Sequence, residues 1–312
     1  MQLIEIPCGG DGMFHTGREG VARIRTTNDR RIDLIEYEDK TLCYVKSSVG
    51  YPAIYPWQEA AFRPRAEAVL MDLDGTSVYS EPFWVSMIDA AAARMLGRPG
   101  FVHEKEDEPF ISGNSVTEHL TYIIDKYAPG TPLEEARRYY HQAVAYEMQE
   151  LLHGRGRAES FVPAKHLKEF LTELKRSGVK IALVTSGMTD KAMPEIVSVF
   201  RQLDMGDPLA FYDCIITGGT ALEKGCPGTM GELELKPHPW LYAEAACVGL
   251  GIPKERRERV LGIEDSAAGV VSIRLAGFAC AGVTGGNIRE AGAEPLCSYQ
   301  VNDLLDLLDI VL

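Results

Sequence analysis

Residues 68–76 read AVLMDLDGT, a short apolar run that ends in two aspartates one residue apart, followed by a glycine. An apolar run of this length is typical of a strand buried on both faces of a parallel sheet. Asp72 and Asp74 would leave such a strand on the same side, and Gly75 allows the sharp turn that follows. Because ligands bind beyond the carboxyl ends of strands in open parallel sheets, this stretch predicts a core strand and a ligand site at its end.

Downstream of this stretch, apolar runs alternate with helical segments, which is the pattern of a parallel sheet with crossover helices. The clearest helical segment covers 164–177, which is amphipathic, begins after Pro163 and ends before Gly178. We therefore expect an α/β fold with a Rossmann-like parallel sheet core flanked by helices. The predicted strands are 68–73, 180–185, 212–217, 260–264 and 279–283.

Two segments depart from this alternation. The interval 79–162 contains helical patterns but no convincing apolar strand, so it predicts an inserted all-helical domain. Residues 32–37 and 41–46 alternate apolar and polar residues around a short charged turn, which predicts a hairpin in a small β-containing N-terminal extension. The predicted helices of the insertion are 85–95, 116–126 and 133–153. The predicted domains are the extension at 1–64, the α/β core at 65–78 and 163–312, and the helical insertion at 79–162.

Polar residues follow several of the predicted strands and would meet at one edge of the sheet. They are Asp72-Leu73-Asp74, Thr185-Ser186-Gly187, Lys236-Pro237-His238-Pro239 and Glu264-Asp265-Ser266. In such a set, Asp72 is suited to attack phosphorus as a nucleophile. Asp74 is suited to protonate the leaving oxygen and then to deprotonate the water that hydrolyses the aspartyl-phosphate.

The other residues of this set complete a phosphoryl-transfer site. Closely spaced carboxylates at Asp72, Asp74 and Asp265 would repel one another, and the hard cation Mg²⁺ relieves that repulsion. Thr185 offers a hydroxyl and Lys236 a compact positive charge to phosphoryl oxygens. His238, between two prolines, is the one histidine that we expect near the site, where it would shape the loop. The combination predicts in-line phosphoryl transfer.

Four sequence motifs carry a family resemblance. DLDGT at 72–76, ALVTSG at 182–187, KPHP at 236–239 and GIEDSAAG at 262–269 resemble, in order and spacing, the motifs of the haloacid dehalogenase superfamily. The insertion resembles the α-helical C1-type cap of the phosphatase and phosphomutase branch, and the resemblance extends from about residue 65 to residue 312. The dehalogenases of that superfamily lack the second aspartate, so Asp74 favours phosphoester chemistry.

The resemblance also implies roles for individual residues. Asp72 would be the nucleophile and a magnesium ligand, and Asp74 the acid/base residue and a ligand through its backbone carbonyl. Asp265 would bind the metal directly, with Glu264 a further or water-mediated ligand. The residues implied in phosphate binding are Thr185, Ser186 and Lys236. The cap would close over the substrate, and the residues proposed by location to select it are Glu81, Asn114, Ser115 and His119.

Composition excludes several other classes of protein. The 312 residues carry a formal net charge of −13, which argues against bulk attraction to nucleic acid or anionic membranes. No apolar stretch approaches the roughly 18 residues of a membrane span, and we expect a cytoplasmic protein. The seven cysteines are scattered without a CxxC pair, which argues against a disulfide scaffold or structural zinc site. The expected partner is a small phosphorylated metabolite, and the oligomeric state does not follow from the sequence.

Three functions are consistent with these patterns. The leading hypothesis is a magnesium-dependent phosphohydrolase that forms an aspartyl-phosphate at Asp72. The second is a phosphosugar mutase of the β-phosphoglucomutase kind, although the segment 112–116, SGNSV, lacks the arginine that mutase-like members place in the corresponding cap loop. The third is a binding or scaffold protein that recruits a partner through residues 1–64, against which the intact motifs count.

Overall fold

The computed structural model describes residues 3–46, 52–107, 116–219 and 235–312. Within these ranges the strands are β1 Ile4–Glu5, β2 Arg23–Thr26, β3 Ile32–Glu36, β4 Thr41–Val45, β5 Ala53–Trp57, β6 Ala68–Met71, β7 Val78–Tyr79, β8 Val162–Pro163, β9 Lys180–Val184, β10 Cys214–Ile216, β11 Val260–Glu264, β12 Ala279–Val283 and β13 Tyr299–Val301. The α-helices are α1 Glu81–Met95, α2 Val116–Tyr127, α3 Leu133–Leu152, α4 Leu167–Arg176, α5 Thr189–Gln202, α6 Pro208–Phe211, α7 Trp240–Glu244, α8 Ala267–Leu275 and α9 Leu308–Val311.

The predicted parallel sheet is confirmed. It has six strands in the order β10-β9-β6-β11-β12-β13, and every neighbouring pair is parallel. Strands β6 and β11 are buried along their whole length, as the apolar sequence of β6 and of β11 up to its final Glu264 predicts. Met71 at the end of β6 lies opposite Ile263 of β11, which brings the polar residues after these two strands side by side.

The described residues cluster into two compact units. One contains residues 1–77, 164–192 and 206–312, and therefore holds both the parallel sheet and the N-terminal strands. The other contains residues 78–163 and 193–205. The second unit is built mainly from α1, α2 and α3, and it also contains the two-stranded antiparallel ribbon β7–β8. The domain bounds given from the sequence stay a prediction.

The N-terminal residues form a five-stranded antiparallel sheet in the order β1-β2-β3-β4-β5. The predicted hairpin corresponds to β3 and β4, and both faces of these strands are apolar. On one face, Ile32, Leu34, Cys43 and Val45 belong to the same buried cluster as Val270 of α8. Ile24, Ile35 and Tyr44 form a separate cluster with Val21 on the other face. The N-terminal sheet thus shares its core with the parallel sheet and its helices.

Apolar packing and one buried carboxylate characterise the helical unit. The ring of Phe83 on α1 stacks on Phe161 at a centroid distance of 4.4 Å. Asp107, whose side chain is fully buried, accepts hydrogen bonds from the Tyr122 hydroxyl (2.6 Å), Lys126 Nζ (2.6 Å) and the Tyr127 hydroxyl (2.5 Å). Its Oδ2 also accepts a bond of 3.0 Å from the Glu104 backbone N–H. These donors link α2 to the chain that precedes it.

The described helices were compared with the length and apolar character of a membrane span. None of them combines the length and the apolar character that crossing a bilayer requires.

Candidate active site

Three carboxylates meet at the carboxyl end of β6 and β11. Asp72 directly follows β6, Glu264 is the last residue of β11, and Asp265 comes next. A carboxylate oxygen from each lies within 4.8 Å of the other two, and all three residues are buried. The Asp72 backbone N–H donates to the Ile263 carbonyl, which extends the pairing of the two strands by one residue and fixes Asp72 beside Glu264.

Lys236 lies among these carboxylates. Its Nζ donates to Asp72 Oδ1 at 2.5 Å, to Glu264 Oε1 at 2.7 Å and to the Val184 carbonyl at 3.0 Å. The lysine side chain is 6% exposed, so the ion pairs are shielded from bulk water. The structure therefore brings together Lys236, Asp72 and Glu264, which the sequence assigned to a common site.

Glu264 is fixed by donors on both of its oxygens. Besides Lys236, the Tyr242 hydroxyl donates to Oε1 at 2.8 Å. Oε2 accepts from the backbone N–H groups of Asp265 and Ser266 at 3.2 Å each, and from the Ser266 hydroxyl at 3.0 Å. Ser266 also caps α8, as its hydroxyl accepts from the Gly269 N–H. Glu264 thus has both carboxylate oxygens engaged by protein donors, which suits a positioning role beside Asp72 and Asp265.

The pKa values of Asp72, Asp265 and Lys236 are shifted by burial and by the closely spaced carboxylates. Burial, reinforced by the Glu264 charge, raises the pKa of Asp72 well above its usual range. Burial and the same neighbour raise the pKa of Asp265 to about 7. For Lys236, burial opposes the charged form, but the adjacent Asp72 and Glu264 carboxylates outweigh it and raise the lysine pKa. One lysine does not neutralise three clustered carboxylates.

This donor set fits a hard divalent cation. Carboxylate oxygens from Asp72 and Asp265, buried close to a third, are the ligand type that Mg²⁺ prefers. Burial and then mutual repulsion raise the pKa values of Asp72 and Asp265, and a cation relieves that repulsion. Asp265 is also tightly enclosed: Gly75 has φ +82°, and a Cβ on it would lie 2.0 Å from Asp265 Oδ2. Glycine at position 75 is therefore required both by the turn and by the approach of this ligand.

Asp74 and Thr185 lie close to each other. Lys191 Nζ, at the start of α5, donates to Asp74 Oδ1 at 3.1 Å. The Thr185 hydroxyl oxygen accepts from the Gly187 N–H at 2.9 Å. A Cβ built on Gly187 would lie 3.2 Å from Thr185 Oγ1 and 3.8 Å from Asp74 Oδ2, so these two side chains flank the same point. The geometry leaves the Thr185 hydroxyl hydrogen available to donate to an oxygen ligand.

The loop that carries Lys236 is held by side chains from several elements. Ser186, predicted to bind phosphate, has its hydroxyl oxygen engaged by the Lys236 backbone N–H at 3.2 Å. The Ser272 hydroxyl on α8 donates to the His238 carbonyl at 2.5 Å. The His238 ring is buried, and its Nδ1 shares a hydrogen bond of 2.7 Å with the Tyr55 hydroxyl on β5. His238 therefore lies in the loop beside the site.

Two of the residues predicted to select the substrate, Glu81 and His119, belong to the helical unit. Glu81 is exposed at the start of α1, and His119 is buried on α2. Burial lowers the pKa of His119, against the opposing charges of Glu118 and Glu81, so Glu81 and His119 share one neighbourhood. Asn114 and Ser115 lie outside the described residues. The role of these four residues in substrate selection stays a prediction.

Three contributors to the site were not predicted from the sequence. Lys191 and Tyr242 carry no motif, because a lysine or tyrosine at the beginning of a helix is ordinary in sequence. Tyr55 lies in a segment whose sequence gave no functional signal. The sequence of β5 has one usable pattern, an alternation of the partly buried Ala53, Tyr55 and Trp57 with two exposed residues. This alternation indicates only which side of the strand is buried.

Comparison with known proteins decides the family. The model of a family described as haloacid dehalogenase-like hydrolase matches residues 66–277, which is more than half of the chain. This chain belongs to the haloacid dehalogenase-like hydrolases. The predicted resemblance is therefore confirmed, and the matched residues contain the ends of β6, β9 and β11 together with the Lys236 loop. A search of curated proteins finds no significant match.

Solved structures of haloacid dehalogenase-like proteins share the fold. A candidate beta-phosphoglucomutase from Thermotoga maritima is 23% identical with a TM-score of 0.56, and the alignment covers 79% of this chain and 100% of that one. A predicted phosphoglycolate phosphatase from Haemophilus somnus 129PT is 21% identical with a TM-score of 0.55, covering 79% and 98%. A HAD-superfamily hydrolase of subfamily IA from Geobacter sulfurreducens PCA is 18% identical with a TM-score of 0.54, covering 81% and 100%.

Proposed function

We propose that this chain is a magnesium-dependent phosphohydrolase that acts on a small phosphorylated metabolite through an aspartyl-phosphate on Asp72. The observation that carries the proposal is the position of the Asp72 carboxylate, within 2.5 Å of Lys236 Nζ and beside Glu264 and Asp265, with Asp74 two residues further along the chain. This arrangement supports attack of a carboxylate oxygen on phosphorus. The family includes hydrolases, which supports the reaction class.

The first half-reaction uses the two aspartates in different roles. An Asp72 Oδ atom forms a bond to phosphorus while the bond from phosphorus to the leaving oxygen breaks. Asp74, protonated, gives its proton to that leaving oxygen, so that an alcohol departs and Asp74 is left as a carboxylate. Thr185 donates to a phosphoryl oxygen, and the positive charge of Lys236, held beside Asp72, stabilises the negative charge that is concentrated on the phosphoryl oxygens in the transition state.

The second half-reaction restores the enzyme. Asp74 takes a proton from a water molecule whose oxygen attacks phosphorus, and the bond between phosphorus and Asp72 breaks. Inorganic phosphate leaves, and Asp72 returns to its carboxylate form beside Lys236. Held by Asp72, Asp265 and the Asp74 carbonyl, Mg²⁺ would supply charge neutralisation between the nucleophile and the phosphate.

The proposal is tested by phosphate release from a panel of sugar phosphates, phosphoglycolate and nucleotides, with Mg²⁺ or with EDTA. We expect release from at least one compound, its loss in EDTA, and a decrease of at least about 10³-fold in the Asp72→Asn variant. Asp125→Asn, an exposed aspartate of α2, controls for the substitution itself. Full activity in Asp72→Asn would exclude the covalent mechanism.

The mutase alternative uses the same residues but a different acceptor. The phosphoryl group on Asp72 would pass to a hydroxyl of a sugar phosphate in place of water. Product analysis by ³¹P NMR separates the two functions, because a mutase yields an isomeric sugar phosphate and a phosphohydrolase yields inorganic phosphate. Binding of Mg²⁺ without either product would favour the scaffold alternative.

A further inference from the structure

The N-terminal sheet lies outside the family match at residues 66–277, yet it contacts the loop of the proposed phosphate-binding lysine. Strand β5 pairs with β4, with Tyr55 opposite Cys43. From β5, the Tyr55 hydroxyl reaches His238 Nδ1 at 2.7 Å. The Tyr55 ring also makes edge contacts with the rings of His238 and Trp240, at centroid distances of 5.8 and 6.1 Å. These contacts join the extension to the Lys236 loop at His238 and Trp240, both of which follow the lysine.

Strand β5 is itself fixed against the core. The Arg274 guanidinium on α8 lies over the Trp57 ring at 5.1 Å, and Arg274 also donates to the Gln58 carbonyl at 3.4 Å. Since α8 begins directly after the Glu264-Asp265-Ser266 turn, the element that supports β5 is the one that follows the metal-site carboxylates. The strand that carries Tyr55 is therefore held against α8 by contacts of Trp57 and Gln58.

The loop requires such support because its lysine must reach three acceptors at once. Lys236 Nζ donates to two buried carboxylates and a carbonyl at distances of 2.5 to 3.0 Å. His238, two residues later, is 1% exposed, so loss of a ring hydrogen bond is not readily compensated by bulk water. A displacement of a catalytic group by about 1 Å costs up to about 10²-fold in rate.

We propose that Tyr55 is a positioning residue for Lys236, acting through its hydrogen bond to His238, and that the N-terminal sheet is thereby a working part of the active site. The inference rests on the proposed phosphohydrolase function for its kinetic readout. It deepens that function by assigning a role to a segment that the family model does not include. The extension contacts the lysine loop at the His238 ring, whereas Ser186 contacts it at the Lys236 backbone N–H.

The test begins with Tyr55→Phe, which removes the hydroxyl and retains the ring. We expect kcat for phosphate release to fall about 10-fold, with KM within about twofold of wild type and a melting temperature lowered by only about 2–6 °C, since a buried ring nitrogen loses its partner. Tyr37→Phe is the matched control, since Tyr37 packs with the separate cluster on the other face of the sheet. Wild-type kcat in Tyr55→Phe would overturn the proposal, as would equal losses in both variants.

A double variant tests whether Tyr55 acts through His238. If it does, Tyr55→Phe combined with His238→Leu has the kcat of His238→Leu alone, because the second change removes a bond already lost. Multiplicative losses would overturn the proposed route. A general loss of packing would instead increase amide exchange in β6 and β11 of Tyr55→Phe as well, which would overturn the proposal.

Amide hydrogen exchange provides a readout that needs no activity. We expect Tyr55→Phe to increase exchange at residues 235–244 by about 10-fold and to leave β6 and β11 unchanged. If the wild-type protein releases no phosphate from any compound, the proposed function fails, and exchange alone decides this inference. Unchanged exchange at 235–244 would then show that Tyr55 does not hold the loop.

Discussion

Two buried aspartates in this chain have opposite surroundings. Asp107, in the helical unit, receives hydrogen bonds from two tyrosines, a lysine and a backbone N–H. Asp72, directly after β6, accepts a hydrogen bond from Lys236, which also donates to Glu264. Asp265 is a further anionic neighbour of Asp72. Burial would raise the pKa of Asp107, but its donors outweigh burial and lower that pKa, whereas the pKa of Asp72 is raised.

The difference separates a structural carboxylate from one held for chemistry. Asp107 has its charge satisfied within the protein, so its environment stabilises the fold and leaves nothing for a ligand. The Asp72 cluster retains uncompensated negative charge and can gain favourable interactions from a cation and a phosphoryl group. Strongly perturbed carboxylates of the second kind are concentrated at functional sites.

Asp72→Asn should produce the largest effect, with activity and stability changing in opposite senses. Activity falls at least about 10³-fold, while the melting temperature measured in EDTA stays the same or rises, because a neutral amide oxygen still accepts from Lys236 without repelling Glu264. A raised pKa also means that wild-type stability is lost as pH rises from about 4 toward the folded pKa. Melting curves in EDTA from pH 4 to 8 test this, and a destabilised variant would contradict it.

Asp107→Asn should show the reverse pattern. Loss of the Lys126 ion pair and of one tyrosine bond should lower the free energy of unfolding by about 2–3 kcal/mol at pH 7, with activity within about threefold of wild type. A lowered pKa stabilises the fold above about pH 4, and that contribution is lost as pH falls further. The difference between variant and wild type should therefore shrink below pH 4 in denaturant titrations. A constant difference would argue against the charge as its cause.

Magnesium should stabilise the wild-type protein by neutralising the Asp72 cluster. At a concentration about 100 times the dissociation constant, the expected gain is about 2.7 kcal/mol, seen as a rise in melting temperature. Asp265→Asn should abolish most of this shift, and Asp107→Asn should retain it. An equal shift in Asp265→Asn would place the cation elsewhere.

The smallest effect is expected from Lys191→Met. This change removes the 3.1 Å contact that orients Asp74, and we expect kcat to fall about three- to fivefold. Lys165→Met is a suitable control, since it breaks another lysine–aspartate pair, to Asp303, with Nζ and Oδ2 2.8 Å apart. Similar kcat values in the two variants would show that Lys191 does not assist Asp74.

Sequence patterns predicted the centre of the fold better than its edges. Strands β6, β9 and β11 were recognised because burial on both faces imposes continuous apolar runs. Strand β13 is short and lies at the sheet edge, where burial imposes less on the sequence. Strand β5 contains Pro56, which cannot donate a ladder hydrogen bond and so lowers the strand signal.

The same distinction holds for the site. Asp72, Glu264 and Asp265 follow from strand ends, because topology alone brings such residues to one edge. Lys236 lies in the long connection after β10, so its place in the site was predicted from the KPHP motif and its family resemblance. Tyr55 and His238 are 183 residues apart, and their contact depends on how one sheet packs on another, which periodicity does not determine. Ser186 has the predicted position, but its hydroxyl engages the lysine loop, a detail of backbone geometry beyond any motif.

The shared core of the two sheets limits which chimeras of this chain could fold. Ile32, Leu34, Cys43 and Val45 fill one hydrophobic cluster together with Val270 of α8. Exchange of the first 65 residues for an unrelated module would uncover that apolar surface and release the hydroxyl that holds His238. The extension is therefore inseparable from its catalytic neighbour, and a functional chimera would need to supply a matching apolar face and a phenol at the position of Tyr55.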